Sequence, residues 1–195
     1  VNGAGRNGEI RANVALVSRK NDAMLWSKEF ERAAACGADL EESLAFAAAR
    51  VLDCAIEEAS GEYGRLREEL RRTYLNACSL LTEVGWDSRS VLPELQLVAE
   101  KTPRFRPAWA RLLNAQSDYV SLLQALGKDR VSAKADLKSL IARARKFHPD
   151  MAEITLGELT LNPGLPVSRS VALVEQAKAQ DPHNVAVLIA HSQEM

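Results

Sequence analysis

The spacing of apolar residues changes once along this chain, and that change limits its fold more than any other feature. Ile10, Ala12, Val14 and Leu16 occupy every second position, with Arg11 and Asn13 between them. Period two marks a half-buried strand, because successive side chains point to opposite faces. A second alternating run puts Met24, Trp26 and Phe30 on one face and Leu25, Ser27 and Glu29 on the other. Arg19-Lys20-Asn21-Asp22 between the runs reads as a polar turn. Upstream, Asn7-Gly8 is a two-residue hairpin signal, since both turn positions need positive φ. Val1 to Ala4 therefore reads as the stub of a third strand. After Gly37 the period becomes three and four. Leu40, Leu44, Ala47, Ala48, Val51, Ala55 and Ile56 outline an amphipathic helix, with Asp39 placed to cap its start.

Ser60-Gly61 punctuates the pattern and is the expected domain boundary, dividing the 195 residues into an α+β segment over 1–60 and a helical region over 61–195. A sheet of three short strands with one helix is marginal alone and needs further packing. From Glu62 onward every apolar pattern is helical, interrupted by Gly85-Trp86-Asp87, Thr102-Pro103, Gly127-Lys128-Asp129, His148-Pro149, Asn162-Pro163-Gly164 and Asp181-Pro182. Aromatics make up only 5% of the chain, while alanine and leucine abound, which favours helices over sheet.

Three of these breaks put a proline just after a helix: Pro103, Pro149 and Pro182. The last two are 33 residues apart and the first two 46. Helix-turn-helix units near that period, closed by proline, resemble the tetratricopeptide repeat. Counting back from the prolines gives second helices carrying Val91, Leu95 and Val98, then Leu137, Ile141 and Ala144, then Val174 and Ala177. Leu75 and Cys78 fall on the first helix of the opening repeat, and Trp109 with Leu112 opens the next one. The longer spacing requires additional residues around Tyr119 to Ser132. The expected architecture is mainly α: a small antiparallel hairpin plus helix, then an α-α superhelix of TPR-like repeats.

Gly8 to Val17 followed by Met24-Leu25-Trp26-Ser27-Lys28-Glu29-Phe30-Glu31-Arg32 resembles the closing half of the TolB-amino-terminal-like (FlgO-like) domain of bacterial regulators. The likeness covers residues 1 to about 58, and Asn21-Asp22 and Cys36-Gly37 depart from the family pattern. In such proteins the domain commonly precedes tetratricopeptide repeats and follows a cyclase or winged-helix effector. The resemblance implies a C-terminal region of a bacterial signalling or transcriptional regulator, and the Val1 start fits a fragment of a longer chain. The implied location is cytoplasmic, or periplasmic if a transmembrane helix lies upstream.

Side-chain chemistry points away from catalysis. Cys36, Cys54 and Cys78 are odd in number and widely spaced, and read as small core residues of a reducing compartment. Gly3-Ala4-Gly5-Arg6-Asn7-Gly8 spells a dinucleotide fingerprint, but an alternating strand follows it instead of a helix. His148, His183 and His191 lack ligands at metal spacing, and Glu41-Glu42, Glu57-Glu58 and Glu68-Glu69 read as solvated faces. Lys101, Arg104, Arg106 and Arg111 cluster beside Trp109 and read as a solvated repeat edge, with a site for an acidic peptide as the alternative. No cofactor, metal or catalytic residue is expected. A net charge of -1 argues against direct nucleic-acid contact. No apolar run is long enough for a membrane span.

The leading expectation is therefore a non-catalytic protein-interaction and sensory module, binding a protein or peptide, with a homodimer left open. Its expected contact residues are Asn76, Arg111, Asn114 and Gln116, on first helices that line the concave face of tetratricopeptide arrays. The alternative is a small-ligand sensor, with the ligand held between the sheet segment and the first repeat.

Overall fold

The computed structural model describes residues 2–6, 9–19, 22–33, 37–61, 64–81 and 88–194. The chain forms two compact units, Val1–Gly85 and Trp86–Met195.

In the N-terminal unit β1 (Asn2–Arg6), β2 (Glu9–Val17) and β3 (Met24–Ala33) make an antiparallel sheet in that order. Arg6 pairs with Glu9, and the Asn7-Gly8 turn itself lies outside the described residues. The β2–β3 ladder runs from Glu9 opposite Ala33 to Val17 opposite Met24, with an irregularity between Leu16 and Val17. A bulge resets alternation locally, and Met24 is exposed although Trp26 and Phe30 are buried. The Ser18 amide donates to the Ala23 carbonyl at 2.9 Å, and Asp22 takes a φ of 50°, a conformation that aspartate tolerates.

Helix α1 (Gly37–Ser60) packs Leu40, Leu44 and Ala47 against Ile10, Ala12, Val14 and Phe30 of the sheet. Its buried stripe continues through Val51, Cys54 and Glu58 at helical spacing. Ile56, expected in that stripe, is 60% exposed, and Phe46 and Leu52 are exposed as well.

Helix α2 (Glu68–Leu80) packs against α1 and β3. Cys54 and Cys78 form a disulfide, their Cα atoms 6.7 Å apart, which overturns the expectation of free core thiols. Helix packing, not sequence spacing, brings the two sulfurs together, and Cys36 lies outside the described residues. The Glu57-Glu58 pair is not the solvated face its sequence suggests. Glu58 is buried, accepting from the Leu66 amide at 3.1 Å and from Arg71 Nη2 at 2.9 Å. Glu57 Oε2 accepts from the Tyr74 hydroxyl at 2.9 Å. These ties hold α2 to α1 within the N-terminal unit.

The C-terminal unit opens with a short 3-10 helix, Ser88–Val91. Then follow α3 (Leu92–Lys101), α4 (Arg106–Ala125), α5 (Val131–Phe147), α6 (Ala152–Leu161), α7 (Val167–Gln180) and α8 (Val185–Glu194). Each helix packs on the next, and α4 also packs on α6. All residues counted back from the prolines are buried: Val91, Leu95, Val98, Leu137, Ile141, Ala144, Val174 and Ala177. Helices α4 and α5 have 20 and 17 residues against 10 in α3, so the longer proline spacing is taken up by helix length.

Four helices end in one way. The residue before a proline in mid-chain of a helix is pushed towards extended backbone, because the proline ring crowds it. Thr102, His148, Asn162 and Asp181 leave the helix at φ between −125° and −147° and ψ between 61° and 88°. The carbonyl of each then accepts the amide three residues on, from Phe105, Met151, Leu165 and Asn184 respectively. Helix α4 ends differently, with Gly127 at φ 62°. The Gly127 amide reaches the Gln124 carbonyl and the Lys128 amide that of Leu123, the paired bonds of a glycine-terminated helix. Among the described residues no helix is long and apolar enough to cross a membrane.

Candidate functional site

Lys134, Lys138, Ile141, Ala142 and Arg145 share one side of α5, because spacings of three and four residues return to the same face. That side forms one wall of a groove of about 710 Å3. Ala135 adds to that wall, and Glu158 and Leu161 of α6, Asn162 and Leu165 of the following turn, and Arg169 and Leu173 of α7 complete the groove. Helix α6 approaches α5 closely at Gly157, where a Cβ would stand 3.0 Å from Ile141 Cδ1.

The basic side chains here have two different duties. Lys134 Nζ donates to the Leu161 carbonyl at 2.9 Å, placing a cation on the end of α6, where the helix dipole favours it. Arg145 is paired with Glu158 at 2.6 Å, and Asn162 Nδ2 donates to the Glu158 carbonyl at 2.8 Å. Both cations are thereby spent on holding the wall. Lys138 and Arg169 lie exposed on opposite walls, and neither side chain has a partner among the described residues. The groove thus offers two available positive charges above an apolar floor of Ile141, Leu161, Leu165 and Leu173. Its lining holds no serine, cysteine or histidine, so its chemistry is ion pairing and apolar contact.

A second cavity, about 330 Å3, lies in the N-terminal unit between the β2–β3 turn, the end of α1, and α2. Glu58, Arg65, Glu68 and Arg71 contribute its polar side. Arg71 Nε is buried and has no hydrogen-bond partner among the described residues.

The four residues expected to contact a partner are divided between the units. Asn76 is exposed on α2 of the N-terminal unit, while Arg111, Asn114 and Gln116 lie on α4 of the other. Arg111 and Asn114 are half-buried. Gln116 is only 4% exposed, and its Nε2 donates to the Ala133 carbonyl at 2.9 Å. It fastens α4 to the first turn of α5 and is not a surface group. None of the four lines the groove. The spacing of Lys134, Lys138 and Arg145 was legible in the sequence. The contribution of Arg169 was not, since it depends on how α7 packs.

Of the histidines, His148 Nε2 donates to the Pro103 carbonyl at 3.0 Å. His191 Nε2 lies 2.9 Å from Glu175 and 3.2 Å from Lys178. Among the described residues no three metal-ligating side chains are grouped.

No family model matches the chain, and neither a curated protein nor a solved structure matches it.

Proposed function

We propose that this chain is a non-catalytic protein-interaction and sensory module whose helix pairs are TPR-like repeats and whose groove between α5, α6 and α7 receives a polypeptide. The observation that carries this reading is the pair of unengaged cations, Lys138 and Arg169, above a leucine-rich floor. Charge orients a partner and apolar burial supplies affinity, the ordinary division of labour in an interface. The likeness of residues 1 to about 58 to the TolB-amino-terminal-like domain supports a setting in a bacterial regulator. The Cys54–Cys78 bond favours the periplasmic version of that setting, because disulfides persist in oxidising compartments.

The test compares two faces. Lysate pull-down with the wild-type chain is repeated with Lys138→Glu/Arg169→Glu and with Arg111→Glu/Asn114→Ala. Loss of a captured polypeptide with the first pair alone assigns recognition to the groove. Loss with the second pair alone assigns it to α4 and removes the groove from the function.

A specific observation favours a second reading, a small-ligand sensor in the 330 Å3 cavity. Arg65 and Arg71 line that cavity, and their guanidinium groups would bind an acidic metabolite. A thermal-shift screen of small carboxylates and phosphates, repeated on Arg71→Lys, tests it. Stabilisation that disappears in the variant supports the sensor.

A further inference from the structure

We infer that the occupant of the groove is an amphipathic helix with an acidic rim, supplied by a partner polypeptide. This rests on the groove being the interaction site and goes on to say what fits it.

An extended peptide brings unpaired backbone amides, which are costly to bury without acceptors. The floor is Ile141, Leu161, Leu165 and Leu173, the one carboxylate in the lining, Glu158, is already engaged by Arg145, and the Asn162 amide is the one other side-chain acceptor there, too few for an extended backbone. A helix brings its backbone hydrogen bonds with it and presents only side chains, with apolar anchors repeating at three and four residues. Such a stripe matches an apolar floor bounded by helices α5 and α7.

Charge then specifies the rim. Lys138 stands on the α5 wall and Arg169 on the α7 wall, both without partners among the described residues. Carboxylates flanking the apolar stripe on both sides would meet them, and a cationic helix would be repelled. A nucleic acid is the poorer fit. Its phosphates would suit the two cations, but the lining has no aromatic ring for base stacking. The chain as a whole also carries a net charge of -1.

The test uses the full chain and labelled peptides of about 16 residues, long enough to form several helical turns. All carry leucines at helical spacing, with glutamate, glutamine or lysine at the rim. Fluorescence anisotropy should show the glutamate peptide binding about tenfold more tightly than the glutamine peptide at low salt, with the gap closing at high salt. The Lys138→Glu/Arg169→Glu chain should lose the glutamate peptide and gain the lysine peptide, with its melting temperature unchanged. Equal binding of glutamate and glutamine peptides, both lost with Leu165→Asp or Leu173→Asp, overturns the acidic rim while leaving the groove as an interaction site. No binding by any peptide overturns both readings. Binding of single-stranded oligonucleotide or of anionic vesicles in place of the peptides, lost in the double variant, overturns the polypeptide assignment.

Discussion

The imidazole of His148 lies 3.0 Å from the carbonyl oxygen of Pro103, linking the turn after α5 to the turn after α3. The indole Nε1 of Trp109 donates to the same oxygen, also at 3.0 Å. Two equivalent helix-ending turns are thus joined through one acceptor. Burial holds the His148 pKa below the ordinary imidazole value and Arg106 adds to that, against the opposing pull of the Pro103 hydrogen bond and Asp150. The folded chain therefore takes up a proton at lower pH than the unfolded chain. Stability from neutral His148 is full above about 6.5 and falls as pH drops towards the lowered value. Urea midpoints measured from neutral pH downward should decline through that window, and His148→Gln should flatten the decline. An equally steep profile in the variant would assign it to other groups.

Trp109 is 2% exposed, stacks on Phe147 at 6.3 Å between ring centroids, and has the Arg143 guanidinium 5.8 Å from its ring centre. Trp109→Ala should cost about 3–5 kcal/mol, the usual range for a buried aromatic. Trp109→Phe keeps most of the packing and forfeits the Pro103 bond, at about 1 kcal/mol. Chemical denaturation of both variants checks the order.

The Cys54–Cys78 bond closes a loop with a sequence separation of 24 residues. Cys54→Ala/Cys78→Ala should lose about 2–4 kcal/mol of stability. Hydrogen exchange over α2 should rise in this variant, since α2 depends on α1 for its burial. Unchanged exchange there would show that Glu58, Arg71 and Tyr74 alone hold the helix.

Asn184 does two things at once. Its Oδ1 accepts the amides of Ala186 and Val187 at 3.0 and 3.4 Å, and its Nδ2 donates to Glu153 Oε1 at 2.7 Å. Glu153 is 6% exposed and its other oxygen, Oε2, has no partner among the described residues. Asn184→Ala should cost about 1–3 kcal/mol, combining a lost cap with a carboxylate left without its donor. Asn184→Asp keeps the cap but sets two carboxylates together, so it should also destabilise. A neutral effect of Asn184→Asp would show that the cap alone matters.

Gly157 tests the tightness of the wall between α5 and α6. Valine there would press on Ile141 and Leu137, and should cost about 1–3 kcal/mol by overpacking. Calorimetry on Gly157→Val and Gly157→Ala separates crowding from helix propensity, because alanine improves the propensity while adding only one carbon.

The sequence announced whatever depended on local rules. Alternation from Ile10 to Leu16 became β2, and the prolines at 103, 149, 163 and 182 ended helices at the residue before each. Partner choice among helices was not legible. Helix α2 reads like the first helix of a repeat, yet a disulfide, a buried carboxylate and a tyrosine hydroxyl bind it to α1. Of the expected contact residues, Gln116 was drawn inward by a carbonyl 17 residues away, which no single-helix pattern encodes. The groove was half legible: α5 displays its basic face in its spacing, while Arg169 and Leu173 reach the groove only through the turn at Pro163.

The four proline turns have a consequence for how such a chain can change over generations. Each is closed locally, by a carbonyl and an amide three residues apart, with the His148–Pro103 and Asn184–Glu153 bonds added on top of that local closure. A duplication or deletion that starts and ends at these turns exchanges one finished joint for another. Helices contacting mainly their chain neighbours then need to repack only at the new seam. The number of helices is in this sense a heritable variable, adjustable in whole pairs, and the turns after α3, α5 and α7 are where the gene can be cut and rejoined with the least disturbance to the protein.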